Sequence, residues 1–443
     1  MYDSLSTAAG KRARSLLWME DAWMLGDSTT YGMQPVALAE RSLAAYAPLV
    51  GDDVIAEIEA LARPLKGARV AHISATAFGG GVAEMLRTLA PLMRSVGLRA
   101  EWRIITGSDA FFRVTKSMHN ALQGGEFALT EEMRDTYLRT NRDNAASFMD
   151  SFDFVVVHDP QPAPLRSLSA ARGAWIWRCH IDLTAAQPTT WQFLRPFIEA
   201  YDAAIFTMAA FVKPDLHVPT VAIIPPAIDP LSMKNATLSR DQVLTTVATA
   251  GVDPLRPTIL QVSRFDPWKD PLGVIDVYRA LRAEFPGLQL VMLGAMAHDD
   301  PEGQVVLEMA KEHAGSDPDI YLLTNTGGSL EVNAFQRHAA VTLQKSVREG
   351  FGLTVTEALW KASPVVANNV GGIPLQIEDG ISGYLVTNTE QCIERTRSLL
   401  SDPAKATELG QNGHEVVRHN FLSTANLRNY LRLFNSLIAN THP

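Results

Sequence analysis

The feature that most constrains the fold is an alternation of short apolar segments and amphipathic segments that runs through the chain twice. Short β-tolerant apolar runs predict buried strands, and three- and four-residue apolar spacing between several of them predicts helices. In the first half, strands are expected at 68–74, 100–105, 152–158, 174–177, 203–206 and 220–224. In the second half, they are expected at 258–263, 288–293, 320–323, 341–343, 365–367 and 384–386. This alternation predicts an α/β fold with mostly parallel sheets and helices on both faces.

A proline-rich stretch separates the two series. Pro225, Pro226 and Pro230 lack the backbone N–H that a continuing strand needs. We therefore place a domain boundary there, between an N-terminal Rossmann-like domain at 35–228 and a C-terminal one at 229–420. Two such domains facing each other form a cleft, and open α/β sheets bind ligands at the carboxyl ends of their strands.

The two ends of the chain stand apart from this alternation. Residues 1–34 carry no clean period and are interpreted as an N-terminal arm. Residues 421–443 contain an amphipathic pattern over 423–438, which predicts a final helix. Helices are also expected from about 82 to 96 and at 271–284, 302–313, 353–362 and 402–418, as judged by the same spacing.

Composition narrows the classes of partner. The 443 residues include 48 acidic and 39 basic side chains, giving a formal charge of -9, and an acidic surface repels nucleic acid and anionic membranes. No apolar run approaches the roughly 18 residues that span a bilayer. Cys179 and Cys392 lie far apart and form no disulfide framework. We therefore expect a cytoplasmic protein with small-molecule ligands, without nucleic acid or membrane insertion; a homodimer remains one option.

Arg264 and Lys269 follow the expected strand at 258–263. This position corresponds to the carboxyl end of the sheet, where two cations across a proline-fixed turn can converge on a diphosphate. The arginine would supply a planar fork of donors and the lysine a point charge. The spacing alone is equally compatible with surface ion pairs to Asp266 and Asp270.

A second candidate site is the loop after the expected strand at 341–343. Gly350 and Gly352 allow a close backbone approach, and the helix that follows leaves outward-pointing N–H groups suited to a phosphate. Glu349 lies in this loop and Glu357 further along, in the helix. Sugar hydroxyls would be suitable partners for two such carboxylates. The alternative is a carboxylate that stabilises the helix start and a solvated glutamate in the helix.

Gly79, Gly80 and Gly81 follow the first strong strand and precede the first helix. Such a turn can bring backbone N–H groups to an oxyanion. The segment lacks the G-x-G-x-x-G spacing, so a nicotinamide dinucleotide site is poorly supported, and an ordinary glycine-rich loop is the alternative. No Gly-x-Ser-x-Gly elbow, Walker loop or His-Glu-x-x-His motif occurs either.

Two further clusters carry polar side chains. Arg178, His180 and Asp182 follow the strand at 174–177; His180 could contact a sugar or a phosphate, and with Cys179 the cluster matches no standard zinc spacing, so no metal is predicted. A histidine after a strand, such as His158, is often a structural hydrogen-bonding group.

The other cluster is Lys116, His119 and Asn120, which share one face of an expected helix. They could line an acceptor pocket. An amphipathic surface helix explains the same pattern.

Taken together, these segments resemble the retaining GT-B-fold glycosyltransferases of the family-4 type. The resemblance depends on Arg264, Lys269, the spacing of Glu349 and Glu357, and the glycine loop before the first helix. Within that group the chain is similar to the trehalose synthases that use a nucleotide sugar, and to the related trehalose phosphorylases. Four segments carry this closer similarity: FGGGVAE at 78–84, FFRVTKSMHNALQG at 111–124, WRCHID at 177–182 and VSRFDPWK at 262–269. It covers roughly residues 40–440.

The resemblance implies a role for each donor-side residue. Arg264 and Lys269 would bind the donor diphosphate, Glu357 the ribose hydroxyls, and His180 the donor sugar near its 6-hydroxyl. Glu349 would hold the donor glucose and phosphate. It would do so together with backbone N–H groups of the loop: Gly350, Phe351, Gly352 and Leu353.

On the N-terminal side, Gly80 and Gly81 would approach the diphosphate, and Arg178, Asp182 and Lys116 would face the acceptor. The resemblance also implies that the final helix packs back on the N-terminal domain.

The implied reaction moves glucose reversibly from UDP- or ADP-glucose to glucose, giving trehalose with retention and requiring no cofactor. Trehalose phosphorylase activity and transfer to another sugar acceptor remain alternatives; an epimerase of the same fold and a noncatalytic sugar-nucleotide-binding protein are more distant ones. The donor base would be read near Leu323 to Asn325, and the sequence leaves its identity open.

Overall fold

The computed structural model describes residues 32–294, 301–324 and 328–439. The expected strands are confirmed, and their ends lie within two residues of the expected positions. The first sheet contains β1 (Gln34–Pro35), β2 (Arg69–Ser74), β3 (Arg99–Ile104), β4 (Phe154–His158), β5 (Ala174–Arg178), β6 (Ala203–Phe206) and β7 (Thr220–Ile223). Their order is β1-β3-β2-β4-β5-β6-β7, with every pair parallel except β1 and β3.

The second half of the chain forms a separate parallel sheet. It contains β8 (Thr258–Val262), β9 (Gln289–Gly294), β10 (Ile320–Thr324), β11 (Val341–Gln344), β12 (Val365–Asn368) and β13 (Tyr384–Val386), in the order β10-β9-β8-β11-β12-β13. The apolar strands of both sheets are buried because helices cover both faces, as the predicted α/β class requires.

The longer helices lie between these strands and at the C-terminus. They are α1 (Asp52–Ala62), α2 (Gly80–Ser95), α3 (Asp109–Leu122), α4 (Glu131–Ser147), α5 (Pro188–Ile198), α6 (Arg240–Thr249), α7 (Pro271–Leu281), α8 (Pro301–Ala314), α9 (Gly328–His338), α10 (Leu353–Trp360), α11 (Thr389–Ser401), α12 (Pro403–Asn420) and α13 (Ser423–Ala439). Polar caps fix several starts; for example, the Ser108 hydroxyl accepts the Phe111 N–H at 3.3 Å at the start of α3.

Most of the expected helices are present with small differences at their ends. The helix expected at 271–284 ends at Leu281, and Pro286 shortly afterwards cannot continue a helix. The helix expected at 353–362 ends at Trp360, because Ala362 adopts a left-handed conformation with φ of 56°. Residues 1–31 of the N-terminal arm and residues 440–443 lie outside the described ranges.

The chain passes between the two sheets at two neighbouring places. Ile228 donates its N–H to the carbonyl of Phe421 at 2.9 Å, and Ser423 donates to the carbonyl of Ile228 at 2.9 Å. The proposed domain boundary falls at the first of these crossings. After the second, α13 packs against α1 and α2. Phe434 of α13 stacks on Phe154 of β4 with ring centroids 4.2 Å apart.

None of the helices within the described ranges combines the length and hydropathy that crossing a membrane requires.

Candidate active site

Lys269 and Glu349 form an ion pair at the carboxyl edge of the second sheet. Lys269 ends a short turn after β8, and its Nζ lies 2.5 Å from Oε2 of Glu349 in the β11–α10 loop. The Ser346 hydroxyl donates to the same oxygen at 3.1 Å. Asp270, which the sequence offered as an alternative partner for Lys269, binds Lys345 at 3.1 Å instead. This edge of the sheet therefore places the Lys269 cation beside the Glu349 carboxylate, and both of these hydrogen bonds go to Oε2.

Arg264 lies at the mouth between the two domains. Its guanidinium donates to Asp266 Oδ2 at 2.8 Å, and 59% of its side chain remains exposed. The residue lies close enough to α3 of the other domain to affect His119. Burial lowers the pKa of His119, and the positive charge of Arg264 lowers it further. The site therefore places a second cation near the cleft, although Arg264 also makes the surface pair that the sequence allowed.

The loop before α10 offers a row of backbone donors. The N–H groups of Gly350, Phe351, Gly352 and Leu353 have no acceptor among the described residues. Gly352 adopts φ of 85° as the residue before the helix, a conformation that glycine accepts without strain. The loop after β12, which contains Gly371, packs directly behind this loop. A Cβ on Gly371 would lie 1.6 Å from the carbonyl oxygen of Glu349.

The start of α2 meets the start of α10 across the cleft. Gly79 and Gly80 adopt φ of 69° and 75°, and a Cβ on Gly81 would lie 2.5 Å from Cδ1 of Leu353. Each helix N-terminus carries a partial positive charge and unpaired N–H groups. Two such termini facing the same space form an environment suited to a polyanion such as a diphosphate.

Glu357 is 2% exposed, so the alternative of a solvated side chain is wrong. Its Oε1 lies 3.5 Å from Nζ of Lys234, which also pairs with Glu84 of α2. Burial alone would lower the pKa of Lys234, but the carboxylates of Glu357 and Glu84 raise it. Their effect is the larger one, so the pKa of Lys234 is raised. Burial raises the pKa of Glu357 itself.

The second carboxylate oxygen of Glu357, Oε2, is buried with no hydrogen-bond partner among the described residues. Glu357 lines a cavity of about 260 Å³ between the domains, together with Glu84, Arg87, Lys234 and Leu353. A buried carboxylate oxygen that faces such a cavity is a suitable acceptor for ligand hydroxyl groups.

His180 connects the N-terminal sheet to the donor loop. It follows β5, and its carbonyl oxygen lies 2.8 Å from the position of a Cβ on Gly350. Its Nε2 is 2.9 Å from Nδ1 of His158, and its N–H donates to Asp159 Oδ1 at 2.9 Å. Burial, aided by the charge of Arg178, lowers the pKa of His180 well below its usual range, so the ring is neutral.

The three residues expected on the acceptor side are dispersed. Lys116 is exposed on α3. Asp182 accepts hydrogen bonds from the N–H and the hydroxyl of Thr184, at 2.8 and 2.6 Å. Arg178 is fully buried at the end of β5. A sugar contact for any of the three stays a prediction.

Several residues of this region were missed by the sequence reasoning. Lys234 follows the interdomain crossing and Glu84 lies within α2, and neither carries a motif. Arg348 had no assigned role, yet its Nη1 reaches the carbonyl of Gln123 in the other domain at 2.7 Å. Gly371 could have been found, because a Gly-Gly pair shortly after a strand signals a close backbone approach.

Among the residues that the structure describes, no group of three or more His, Cys, Asp or Glu side chains is arranged to hold a metal ion. The buried thiol of Cys179 instead donates to the carbonyl of Ile181 at 3.3 Å. Of the segment expected to read the donor base, Leu323 lies in β10, whereas Asn325 lies outside the described residues.

Two family models match the chain. The model described as "Trehalose synthase, N-terminal domain" matches residues 72–213, and "Glycosyl transferases group 1" matches residues 249–416. The chain is 50% identical over 400 residues to a trehalose synthase of Thermococcus litoralis, covering 89% of this chain and 97% of that protein.

A more distant relative is a trehalose phosphorylase of Pleurotus pulmonarius. It is 30% identical over 372 residues, covering 73% of this chain and 50% of that longer protein. Among solved structures, an α,α-trehalose 6-phosphate synthase from Burkholderia multivorans matches with a TM-score of 0.68 at 17% identity, over 85% of this chain and 98% of that one. That likeness confirms the GT-B architecture expected from the sequence.

Proposed function

The chain belongs to the trehalose synthase family of GT-B glycosyltransferases, and we propose that it transfers glucose from a nucleoside-diphosphate glucose to glucose, giving trehalose with retention of the α configuration. The reaction is reversible in this proposal. The observation that carries it is the convergence of Lys269, Glu349 and the α10 N-terminus on the edge that faces His180 of the other domain. Membership of a glycosyltransferase family supports the class of bond that is exchanged, and this convergence supports the place that we propose for the exchange.

The chemistry requires positive charge at the leaving group. The bond between the anomeric carbon of glucose and a phosphate oxygen breaks, and negative charge grows on that phosphate. Donors that are already in place when this charge develops lower the barrier most, because they need no reorganisation. Lys269, Arg264 and the N–H groups from Gly350 to Leu353 provide such donors from the C-terminal domain. Gly80 and Gly81 would add the start of α2 from the opposite side.

We propose a front-face displacement for the transfer itself. The acceptor hydroxyl oxygen forms its bond to the anomeric carbon on the side from which the diphosphate leaves, and its proton passes to the leaving phosphate oxygen. The products are trehalose and the nucleoside diphosphate, and no protein nucleophile is consumed. Glu349 orients the donor glucose through its carboxylate, which Lys269 and Ser346 hold at one oxygen only. Lys269, Arg264 and the loop N–H groups would supply the positive charge that a metal ion supplies in other transferases.

The cavity beside Glu357 supports a nucleotide donor over free phosphate. The Oε2 atom of Glu357 is buried without a partner among the described residues, and two ribose hydroxyls would satisfy this carboxylate. A phosphorylase acting on trehalose would have no ribose to place there. The relationship to trehalose phosphorylase is also the more distant one, at 30% identity.

A product assay tests the proposal. The protein is incubated with glucose and, in parallel, UDP-, ADP- or GDP-glucose, and the anomeric signals of the products are followed by proton NMR. We expect α,α-trehalose from at least one donor, with undiminished yield in EDTA. In the reverse direction, trehalose plus the matching nucleoside diphosphate should release nucleotide glucose. Release of glucose 1-phosphate from trehalose and inorganic phosphate alone would instead establish a phosphorylase.

A further inference from the structure

Three histidine rings form a hydrogen-bonded row across neighbouring strands of the N-terminal sheet. Nδ1 of His72 in β2 lies 3.0 Å from Nε2 of His158 at the end of β4. Nδ1 of His158 in turn lies 2.9 Å from Nε2 of His180. The rings of His72 and His158 are tilted by 34°, and those of His158 and His180 are stacked at 16°. The row runs from the interior of the domain to the cleft, where His180 is partly exposed.

All three rings are neutral. His72 and His158 are 0% and 1% exposed, and burial lowers the pKa of His72 to about 3. Burial also lowers the pKa of His158 well below its usual range, and the positive charge of Arg178 lowers it further. A neutral imidazole carries one N–H and one bare nitrogen, so its two ring nitrogens have opposite hydrogen-bonding roles. Fixing the proton on one ring therefore fixes it on the next.

Met93 determines the direction of the row. The Nε2 atom of His72 lies 3.5 Å from the sulfur of Met93 in α2. A thioether sulfur accepts a weak hydrogen bond but cannot donate one. A proton on Nε2 of His72 therefore has an acceptor, whereas a bare Nε2 would be a buried acceptor without a donor. The first arrangement is favoured because an unmet buried polar atom is costly.

We infer that Met93, His72 and His158 act as positioning residues that hold His180 in the tautomer with a proton on Nε2 and a bare Nδ1. With Nε2 of His72 protonated, its Nδ1 accepts from Nε2 of His158, and Nδ1 of His158 accepts from Nε2 of His180. This inference rests on the proposed function only in its last step, the contact between His180 and the donor sugar. The bare Nδ1 of His180 has no partner among the described residues, and in this inference it accepts a hydrogen bond from the donor sugar.

The consequence is that His180 acts toward the sugar as a hydrogen-bond acceptor and not as a donor. A bare nitrogen accepts from a hydroxyl and repels groups that only accept. A donor sugar with a hydroxyl at the contacted position would bind, and one with fluorine there would not regain the contact. The row thus makes His180 an acceptor that selects a sugar group with a hydrogen to donate. It does so without placing a charge beside the sugar.

Nitrogen-15 NMR of the substrate-free enzyme tests the tautomers directly, because protonated and bare imidazole nitrogens resonate in well-separated ranges. Histidine-labelled protein is measured near neutral pH, and the signals are assigned with single His→Gln variants. We expect Nε2 to be protonated and Nδ1 bare in His72, His158 and His180 alike. A protonated Nδ1 on His180 would overturn the inference.

Met93→Leu removes the sulfur at similar volume, and Met118→Leu, also fully buried in the same domain, is the matched control. We expect Met93→Leu to mix the tautomers of all three rings and Met118→Leu to leave them unchanged. Unchanged tautomers in Met93→Leu would show that the sulfur does not set the direction.

Kinetics connect the tautomer to the substrate. For Met93→Leu we expect kcat/KM with nucleotide glucose to fall between about twofold and tenfold, the range of one neutral hydrogen bond. A donor whose glucose lacks the 6-hydroxyl cannot make this contact, so Met93→Leu should leave its kcat/KM unchanged. A purely structural disturbance would lower kcat/KM for both donors. If no donor is turned over at all, the proposed function fails, while the tautomer measurement remains valid on its own.

Discussion

Around Lys269 and His180, the two walls of the cleft present different kinds of polar group. The C-terminal wall carries ionised side chains, Lys269, Glu349 and Arg264, arranged around the positive end of α10. The N-terminal wall presents a glycine turn and a row of neutral histidines ending at His180. Each wall keeps most of its polar contacts within its own domain, and a few contacts, such as Arg348 to the carbonyl of Gln123, join them.

This difference indicates a division of labour. Negative charge develops on the leaving phosphate and matching positive charge on the glucosyl group, so the wall that meets the phosphate needs cations and preorganised donors. The hydroxyls of the sugar stay neutral, and neutral acceptors and donors can bind them without the desolvation cost of buried charges. We therefore expect the C-terminal cations to act mainly on the phosphate and the row ending at His180 to act on the sugar.

Removing the cation of the charged wall should have the largest effect. Lys269→Ala deletes the cation that we propose to act on the leaving phosphate and leaves the Glu349 carboxylate without its cation. We expect kcat to fall by about 10²–10³, the range found when one oxyanion-stabilising donor is lost. Steady-state kinetics with the active nucleotide glucose measure this, and thermal unfolding should change little because the pair is at the cleft.

Lys405→Ala is the matched control, since Lys405 forms a surface pair with Glu408 near the start of α12. Exposed pairs contribute little, so this variant should keep its activity. If Lys269→Ala retained full kcat, the charged wall would not act on the phosphate, and the comparison between the walls would collapse.

Most of the fold could be predicted because both sheets are buried on both faces, which produces unbroken apolar runs such as Val155 to Val157. The pattern was less informative where helices are more polar. No bounds were predicted for α4, whose buried positions include Asn141 and Asn144, side chains that bond to neighbouring carbonyls and look like surface residues in the sequence. Helix ends were also displaced by a few residues, since local events such as the left-handed Ala362 decide them.

The residues of the site likewise fall into two groups: those that local sequence signals predict, and those that only contacts between distant segments bring together. Lys269 and Glu349 follow strands, so sheet topology brings them to one edge, and spacing was enough to propose them. The pairing of Lys234 with Glu84 and Glu357 joins residues from three parts of the chain, which no local pattern encodes. Arg178 carried a conspicuous charge in the right segment, but the alternation of side chains in β5 turns it into the interior.

A second, smaller effect would show whether the charged wall also reads the nucleoside. Glu357→Gln keeps the size of the side chain but replaces one carboxylate oxygen by an amide group that donates. Because the unpaired Oε2 is expected to accept from ribose hydroxyls, we expect the Kd for the nucleoside diphosphate to rise by about tenfold, equal to one good charged hydrogen bond. Isothermal titration with the nucleoside diphosphate measures the change.

Inorganic diphosphate is the control ligand because it has no ribose, and Glu408→Gln is the control variant because Glu408 does not line the cavity. Binding of inorganic diphosphate should be the same for Glu357→Gln and the unaltered protein. Equal weakening of both ligands would mean that Glu357 acts on the phosphates through Lys234, and the nucleoside would then be read elsewhere.

The smallest effect tests how poorly the neutral wall tolerates charge. Asp159, whose Oδ1 accepts the His180 N–H, has its pKa raised by burial to about 7, against about 3.9 in an unfolded chain. Between about pH 4 and pH 7 the folded protein therefore keeps a proton that the unfolded chain has lost, so stability falls as pH rises, by at most about 1.4 kcal/mol per pH unit. The partial exposure of this side chain reduces that slope.

Asp159→Asn should remove this pH dependence, since asparagine keeps the Oδ1 acceptor and tolerates the observed φ of 65°. We expect the Tm of the variant to match the unaltered protein near pH 4 and to exceed it near pH 8 by about 2–4 °C per kcal/mol recovered. Asp241→Asn, an exposed change at the start of α6, should leave the pH profile as it is. If the Asp159→Asn profile stayed parallel to the unaltered one, Asp159 would already be ionised at pH 5. The N-terminal wall would then hold a charge beside His180, and the two walls would differ less than their geometry indicates.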